Sequence, residues 1–200
     1  MSGSVYAGNL QRTGEYHTRG VPLFHEVLWS FDLSSDPSET DYPNSLLLQG
    51  GIVYAGYGDH ACCAIDAQTG KLRWRFEIEE LPAERRERVS LDWEEVPHRV
   101  ASIALTATTA LVGTNCGIIY GIDSNTGEQI WRLDAVEIDQ DHEWYELCVR
   151  YMDVVDNLLL VSIDQEEVND GAGNIYAIDL VSKRGCSYQG IRRSRRSLIS

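Results

Sequence analysis

Between positions 44 and 179 the chain is built from short runs in which apolar and polar or small residues alternate. Ile118, Tyr120 and Ile122 interleave with Ile119, Gly121 and Asp123, the period of two that sends alternate side chains to opposite faces of a sheet. Such runs are separated by turn chemistry. Asp66-Ala67-Gln68-Thr69-Gly70 and Asp123-Ser124-Asn125-Thr126-Gly127 each pair an Asp, whose carboxylate accepts backbone hydrogen bonds, with a Gly suited to positive φ. Strong helical periodicity is absent save over Pro82 to Asp92, where Glu84 to Arg88 would form mixed i,i+4 charge pairs. That stretch sits in a long connection and is expected to be a surface insertion.

The alternating runs recur. Val53 to Phe76 superposes on Ala110 to Leu133 at an offset of 57, matching Gly56 to Gly113, Ile65 to Ile122 and Asp66 to Asp123. Thr69-Gly70 likewise meets Thr126-Gly127, and Trp74-Arg75 meets Trp131-Arg132. A third copy starts at Leu158 and resumes as Gly173-Asn174-Ile175-Tyr176-Ala177-Ile178-Asp179, with Tyr176 lying 56 residues after Tyr120. It then lapses, because Ser187 occupies the tryptophan position. Upstream, Trp29-Ser30-Phe31 matches Trp74-Arg75-Phe76 without the strands that should precede it.

Four short antiparallel strands per repeat predict an all-β chain, a partial β-propeller of about three blades. The first blade is expected from Asn44–Leu48, Ile52–Tyr57, Ala61–Asp66 and Lys71–Phe76. The second is expected from Ala101–Thr106, Ala110–Thr114, Gly117–Asp123 and Gln129–Leu133, and the third from Cys148–Val155, Leu158–Ile163, Asn174–Asp179 and a strand after Lys183. Trp29 to Leu33 is predicted to be an isolated outermost strand. The organisation is therefore a lead-in over 1–28, repeats over 29–182 with an insertion at 77–98, and a tail over 183–200.

The run Val53-Tyr54-Ala55-Gly56, Ala64-Ile65-Asp66, Thr69-Gly70, Trp74-Arg75-Phe76 resembles the pyrroloquinoline-quinone-type repeat. This is the tryptophan-docking β-propeller family that includes quinoprotein alcohol dehydrogenases and the propeller lipoprotein of the bacterial outer-membrane assembly machine. The opening Gly8-Asn9-Leu10-Gln11-Arg12-Thr13-Gly14 resembles the lead-in of many multi-repeat members. The resemblance implies that Trp29, Trp74 and Trp131 dock between blades, each burying aromatic surface worth ~2 kcal/mol or more. It also implies what a dehydrogenase of this family needs: a closed ring of about eight blades, a calcium ion, a catalytic aspartate and a tryptophan floor under the quinone.

Charge refines this picture. The formal net charge is −14, but residues 1–182 hold 11 basic and all 31 acidic residues, whereas 183–200 hold six basic residues and no acid. A body of net charge −20 repels phosphate backbones, so nucleic acid is not an expected partner for it. The tail with Arg192, Arg193, Arg195 and Arg196 departs from the repeat and is expected to be a disordered terminus, or one appended by truncation or a frame change. No run reaches the roughly 18 apolar residues of a membrane helix. No signal-like leader is seen over Met1 to Gly20, which gives a cytoplasmic expectation although family members are often exported. Cys62, Cys63, Cys116, Cys148 and Cys186 are irregularly spaced and expected to be reduced.

Candidate chemistry is sparse. Asp139, Asp141, His142 and Glu143 put four potential ligands in five residues, three of them carboxylates, and Asp164, Glu166, Glu167, Asn169 and Asp170 form a second such cluster. Neither has calcium-loop spacing, so Asp139, Asp141, Glu143, Asp164 and Asp170 are weak calcium candidates beside the simpler reading of solvated acidic loops. The Cys62-Cys63 pair invites comparison with the vicinal disulfide over the cofactor in some quinoproteins, but it aligns with the packing positions Ile119 and Tyr120. His17, His25, His60, His98 and His142 have no metal-ligand spacing. No catalytic or cofactor-binding residue is assigned and no cofactor is expected. The expected function is a non-enzymatic scaffold for protein or ligand binding, part of a longer propeller, whose open edges are covered by a protein partner or by self-association. A module of a quinone- and calcium-dependent oxidoreductase, or a ligand sensor, is the alternative.

Overall fold

Period-two patterning with tight turns builds antiparallel meanders, because a strand that reverses through a short turn pairs with its predecessor. The computed structural model describes residues 26–32, 43–57, 61–81, 98–135, 147–165 and 173–181. Blade 1 comprises β1 (Pro43–Gln49), β2 (Ile52–Tyr57), β3 (Ala61–Asp66) and β4 (Leu72–Glu77), hydrogen-bonded in that order. Blade 2 repeats the order with β5 (Val100–Leu105), β6 (Thr109–Thr114), β7 (Ile118–Asp123) and β8 (Gln129–Asp134). Blade 3 has β9 (Leu147–Val155), β10 (Leu158–Gln165) and β11 (Gly173–Asp179), with β10 between the other two. All-β architecture and the three-blade count agree with the sequence reading, and strand ends differ from it by at most two residues. The strand expected after Lys183, the charged tail and the helical stretch at Pro82 to Asp92 lie outside the described residues.

The blades stack face to face, and their first strands converge: β1 meets β5 and β5 meets β9. Each blade thus has a rear face toward the preceding blade and a forward face toward the next. From blade 1, Tyr54, Cys62, Ala64 and Trp74 face forward into a core completed by Ile103, Val112, Tyr120 and Ile122 on the rear of blade 2. A second core joins Leu111, Ile119 and Leu133 to Val149, Leu159, Val161, Tyr176 and Ile178 of blade 3. Close approach needs bare backbone at one point in each junction. A Cβ on Gly56 would collide with Val100, and one on Gly113 with Val149.

One expectation is corrected. Residues 26–32 carry no assigned strand, so the Trp29 segment is not a paired strand within the described residues; Leu33 lies beyond them. At the described ends of the insertion over 77–98, Ile78, Leu81 and His98 are buried, and Ile78 and Leu81 join the core between blades 1 and 2. The charge pattern at its centre hid these apolar anchors.

Candidate functional site

The repeat motif assembles a latch between blades. At the β3–β4 turn the Asp66 carboxylate accepts from the Gln68 amide at 3.1 Å, the Thr69 amide at 2.9 Å and the Thr69 hydroxyl at 3.0 Å. The Gly70 amide closes the turn on the Asp66 carbonyl at 2.8 Å, with Gly70 at φ +70°. Asp123 does the same at the β7–β8 turn, accepting from the Asn125 and Thr126 amides at 2.8 and 3.1 Å while Gly127 sits at φ +78°. These turns leave the carbonyl after the Asp directed outward. Trp29 Nε1 donates to the Ala67 carbonyl at 3.0 Å, and Trp74 Nε1 donates to the Ser124 carbonyl at 2.9 Å.

The glycines serve the latch twice, through positive φ and through space. A Cβ on Gly70 would lie 2.7 Å from Trp29, and one on Gly127 would lie 2.8 Å from Trp74. The tryptophan side chain therefore rests directly against the turn of the following blade. Trp74 is buried and its ring packs 5.9 Å from Tyr54, whereas Trp29 is only half-buried, against the core patch of Ala61, Cys63 and Ile65. Trp131 packs beside the second core and over Gly121 of its own blade, where a Cβ would collide with the indole. The turn that follows begins in the same way: the Leu180 amide donates to the Asn157 carbonyl at 2.9 Å and the Val181 amide to Asp179 at 2.9 Å. From residue 182 it lies outside the described residues.

Electrostatics separates the two complete turns. The Arg73 guanidinium, 2.7 Å from Asp66, joins the Thr69 amide and hydroxyl in holding the Asp66 carboxyl down to about 2. Position 130, the counterpart of Arg73, is Ile. Inside the core, burial pushes the Tyr120 phenol up, partly opposed by Arg132.

Other candidate residues separate rather than converge. Asp139, Asp141, Glu143 and Asp170 lie outside the described residues, and Asp164 is placed on β10 opposite Cys148 and Gly173. Among the described residues no three His, Cys, Asp or Glu side chains cluster as metal ligands. Cys62 and Cys63 form no disulfide and point to opposite faces of β3: Cys62 enters the core toward blade 2, and Cys63 enters the patch beneath Trp29 and Phe31. Two adjacent strand residues facing apart serve two interfaces, not one site. Burial raises the Cys62 thiol far above its ordinary range, which keeps it protonated and unreactive.

Sequence reasoning expects apolar faces on an open arc of blades but does not name the residues that form the two outward faces. On the rear of blade 1, Leu46 and Leu48 are 66% and 57% exposed, although their counterparts Ile103 and Leu105 in blade 2 pack into the first core. On the forward face of blade 3, Tyr151, Ser162 and Ile175 form one row across β9, β10 and β11, with Tyr151 and Ile175 68% and 60% exposed. The counterparts of that row in blade 2 are Ser102, Gly113 and Ile119. Carrying the repeat alignment into the strand pairs, rather than stopping at the motif, would have exposed the contrast.

A family model described as outer membrane protein assembly factor BamB, of the PQQ-like repeat type, matches residues 25–185. Among solved structures, the chain resembles the quinohemoprotein alcohol dehydrogenase of Comamonas testosteroni with 19% identity and a TM-score of 0.53 over 70% of this chain and 20% of that one. It resembles Sqt1 of Saccharomyces cerevisiae with 17% identity and a TM-score of 0.52 over 72% and 34% of the respective chains. The quinohemoprotein alcohol dehydrogenase ADHIIG of Pseudomonas putida HK5 is similar at 20% identity and a TM-score of 0.51, over 70% and 20%. The chain thus spans between a fifth and about a third of the length of these structures. No curated protein matches it in sequence.

Proposed function

We propose, since the chain belongs to the PQQ-like repeat β-propeller family, that it is a non-catalytic interaction module whose terminal blade faces bind a protein partner. One observation carries this reading. Leu46 and Leu48 are exposed at repeat positions whose blade 2 counterparts, Ile103 and Leu105, pack against the first core, and Tyr151 and Ile175 present a further apolar row at the opposite end. Exposed apolar surface of this kind, placed where blade packs on blade, is the mark of an interface awaiting its other half. The assembly-factor description of the matching family accords with a scaffolding role.

The motif residues support the same reading by what they do. Trp29, Trp74, Asp66, Asp123, Gly70 and Gly127 are all engaged in holding turns and blades together. The test is addition of pyrroloquinoline quinone with calcium to the full chain. The expected result is an unchanged melting temperature and no alcohol-dependent dye reduction. A cofactor-dependent shift or dye turnover would overturn the non-catalytic reading and favour the oxidoreductase alternative.

A further inference from the structure

The junctions between blades 1 and 2 and between blades 2 and 3 share a design but not a bond. On blade 3 the Leu180 amide donates to the Asn157 carbonyl at 2.9 Å, as the Ala67 amide does to the Gly51 carbonyl at 2.9 Å and the Ser124 amide to the Thr108 carbonyl at 3.0 Å. The next amide is held alike: Val181 donates to the Asp179 carboxylate at 2.9 Å, Gln68 to Asp66 at 3.1 Å and Asn125 to Asp123 at 2.8 Å. Within a planar trans peptide the carbonyl points opposite to the N–H, so the Leu180 carbonyl is aimed as the Ala67 and Ser124 carbonyls are. An acceptor for the blade 2 indole is therefore in place. Trp131 does not take it: among the described residues its indole N–H has no acceptor, whereas Trp74 donates to the Ser124 carbonyl at 2.9 Å.

The cause lies across the sheet. Trp74 pairs with Ala64, and Trp131 pairs with Gly121. With no Cβ at position 121 the indole sinks onto its own blade, so far that a Cβ there would lie 2.2 Å from Cε2 and 2.4 Å from Nε1 of Trp131. The indole nitrogen thus occupies space that a methyl group fills opposite Trp74. Ala64, wholly buried, shuts that space to Trp74 and leaves its indole the carbonyl of the following blade.

We infer that Trp131 is a latch with two seats and that Gly121 holds it open. One seat lies over Gly121, where the structure places the indole, and the other is the Leu180 carbonyl. At its inner strands the same junction is tied, since the Met152 amide donates to the Ser102 hydroxyl at 3.1 Å and β5 meets β9. Its outer rim lacks the indole bond that secures the rim between blades 1 and 2. Blade 3 is therefore the blade that moving a single side chain can secure or release, a conformational device that does not depend on the interaction-module reading.

The experiment is proton–nitrogen NMR of the tryptophan indoles in the isotope-labelled full chain, followed during deuterium exchange, for the wild type, Gly121→Ala and Ala64→Gly. Trp131→Phe and Trp74→Phe assign the two signals. In the wild type the Trp131 indole proton is expected to exchange about tenfold or more faster than that of Trp74, the effect of one hydrogen bond. Gly121→Ala fills the inner seat and is expected to slow Trp131 exchange by about tenfold and to move its indole proton downfield, which loss of space alone would not do. Ala64→Gly opens the same seat in blade 1 and is expected to speed Trp74 exchange by about the same factor. Equal protection of the two indoles in the wild type, or a Trp131 signal that Gly121→Ala leaves unchanged, overturns the inference. Should Gly121→Ala fail to fold, Ala64→Gly, which adds no atom, decides: a Trp74 proton that keeps its protection overturns the inference, and one that loses it supports it.

Discussion

Ile103 and Leu46 occupy the same position in successive repeats, yet one is 4% exposed and the other 66%. Strand, register and neighbours on the same sheet are alike, so the difference comes from what lies behind each blade. Behind Ile103 stands the forward face of blade 1, with Gly56 admitting Val100 and Ile103 to the backbone. Behind blade 1 the described residues place the Trp29 segment, which covers Ala61, Cys63 and Ile65 toward the outer strands and leaves the inner strand β1 open. The comparison teaches that burial in this fold belongs to the junction, not to the residue.

The largest expected difference follows from introducing charge at the two equivalent positions. Ile103→Lys places an ammonium in the first core and is expected to cost about 3–5 kcal/mol, enough to unfold a marginal domain, whereas Leu46→Lys changes monomer stability by about 0.5 kcal/mol or less. Urea denaturation of both variants under dilute conditions measures this, and similar losses would erase the distinction between closed and open junctions. The second contrast is between the latches. Trp74→Ala removes a buried indole and is expected to cost about 3–5 kcal/mol, while Trp29→Ala, half-buried, costs about 1–2 kcal/mol in the monomer. Denaturant midpoints of the two variants report the gap directly.

The smallest effect distinguishes the turns. Asp66 is held down to about 2 in the folded chain, first by Arg73 and then by Thr69 and Gln68. A carboxyl lowered by folding stabilises the folded state above its unfolded value near ~4 and loses that contribution as pH falls toward about 2. Melting temperatures of the wild type are therefore expected to fall over this window more steeply than those of Asp66→Asn. Parallel curves would show that the Arg73–Asp66 contact, lying at the surface, adds nothing measurable.

Much of the fold was legible because period-two alternation and the Asp-to-Gly turns are local signals. Each strand pair is joined by residues whose chemistry dictates the reversal, and Trp74 and Trp131 mark the same point in two copies. The direction of each tryptophan was legible as a role but not as a partner. That Trp74 donates to the Ser124 carbonyl depends on the blade-to-blade rotation, which no local pattern encodes. The Ile78 and Leu81 anchors were lost among the charges that follow them. The residues of the open faces were not legible because Leu46 and Tyr151 look ordinary in sequence; what makes them unusual is that, among the described residues, no further blade packs on them.

The latch has an evolutionary corollary. Because the indole bonds a main-chain carbonyl, contributed by Ala67 in one case and Ser124 in the other, the residue bearing that carbonyl is free to drift. Blades 1 and 2 each carry a tryptophan plug on the last strand and a socket on the last turn, and the plug of blade 1 fits the socket of blade 2. Duplication or deletion of a whole unit therefore leaves every internal plug matched. Repeat number in such a lineage can change in single steps without any compensating mutation, and selection on fit is confined to the plug and socket left over at the two ends.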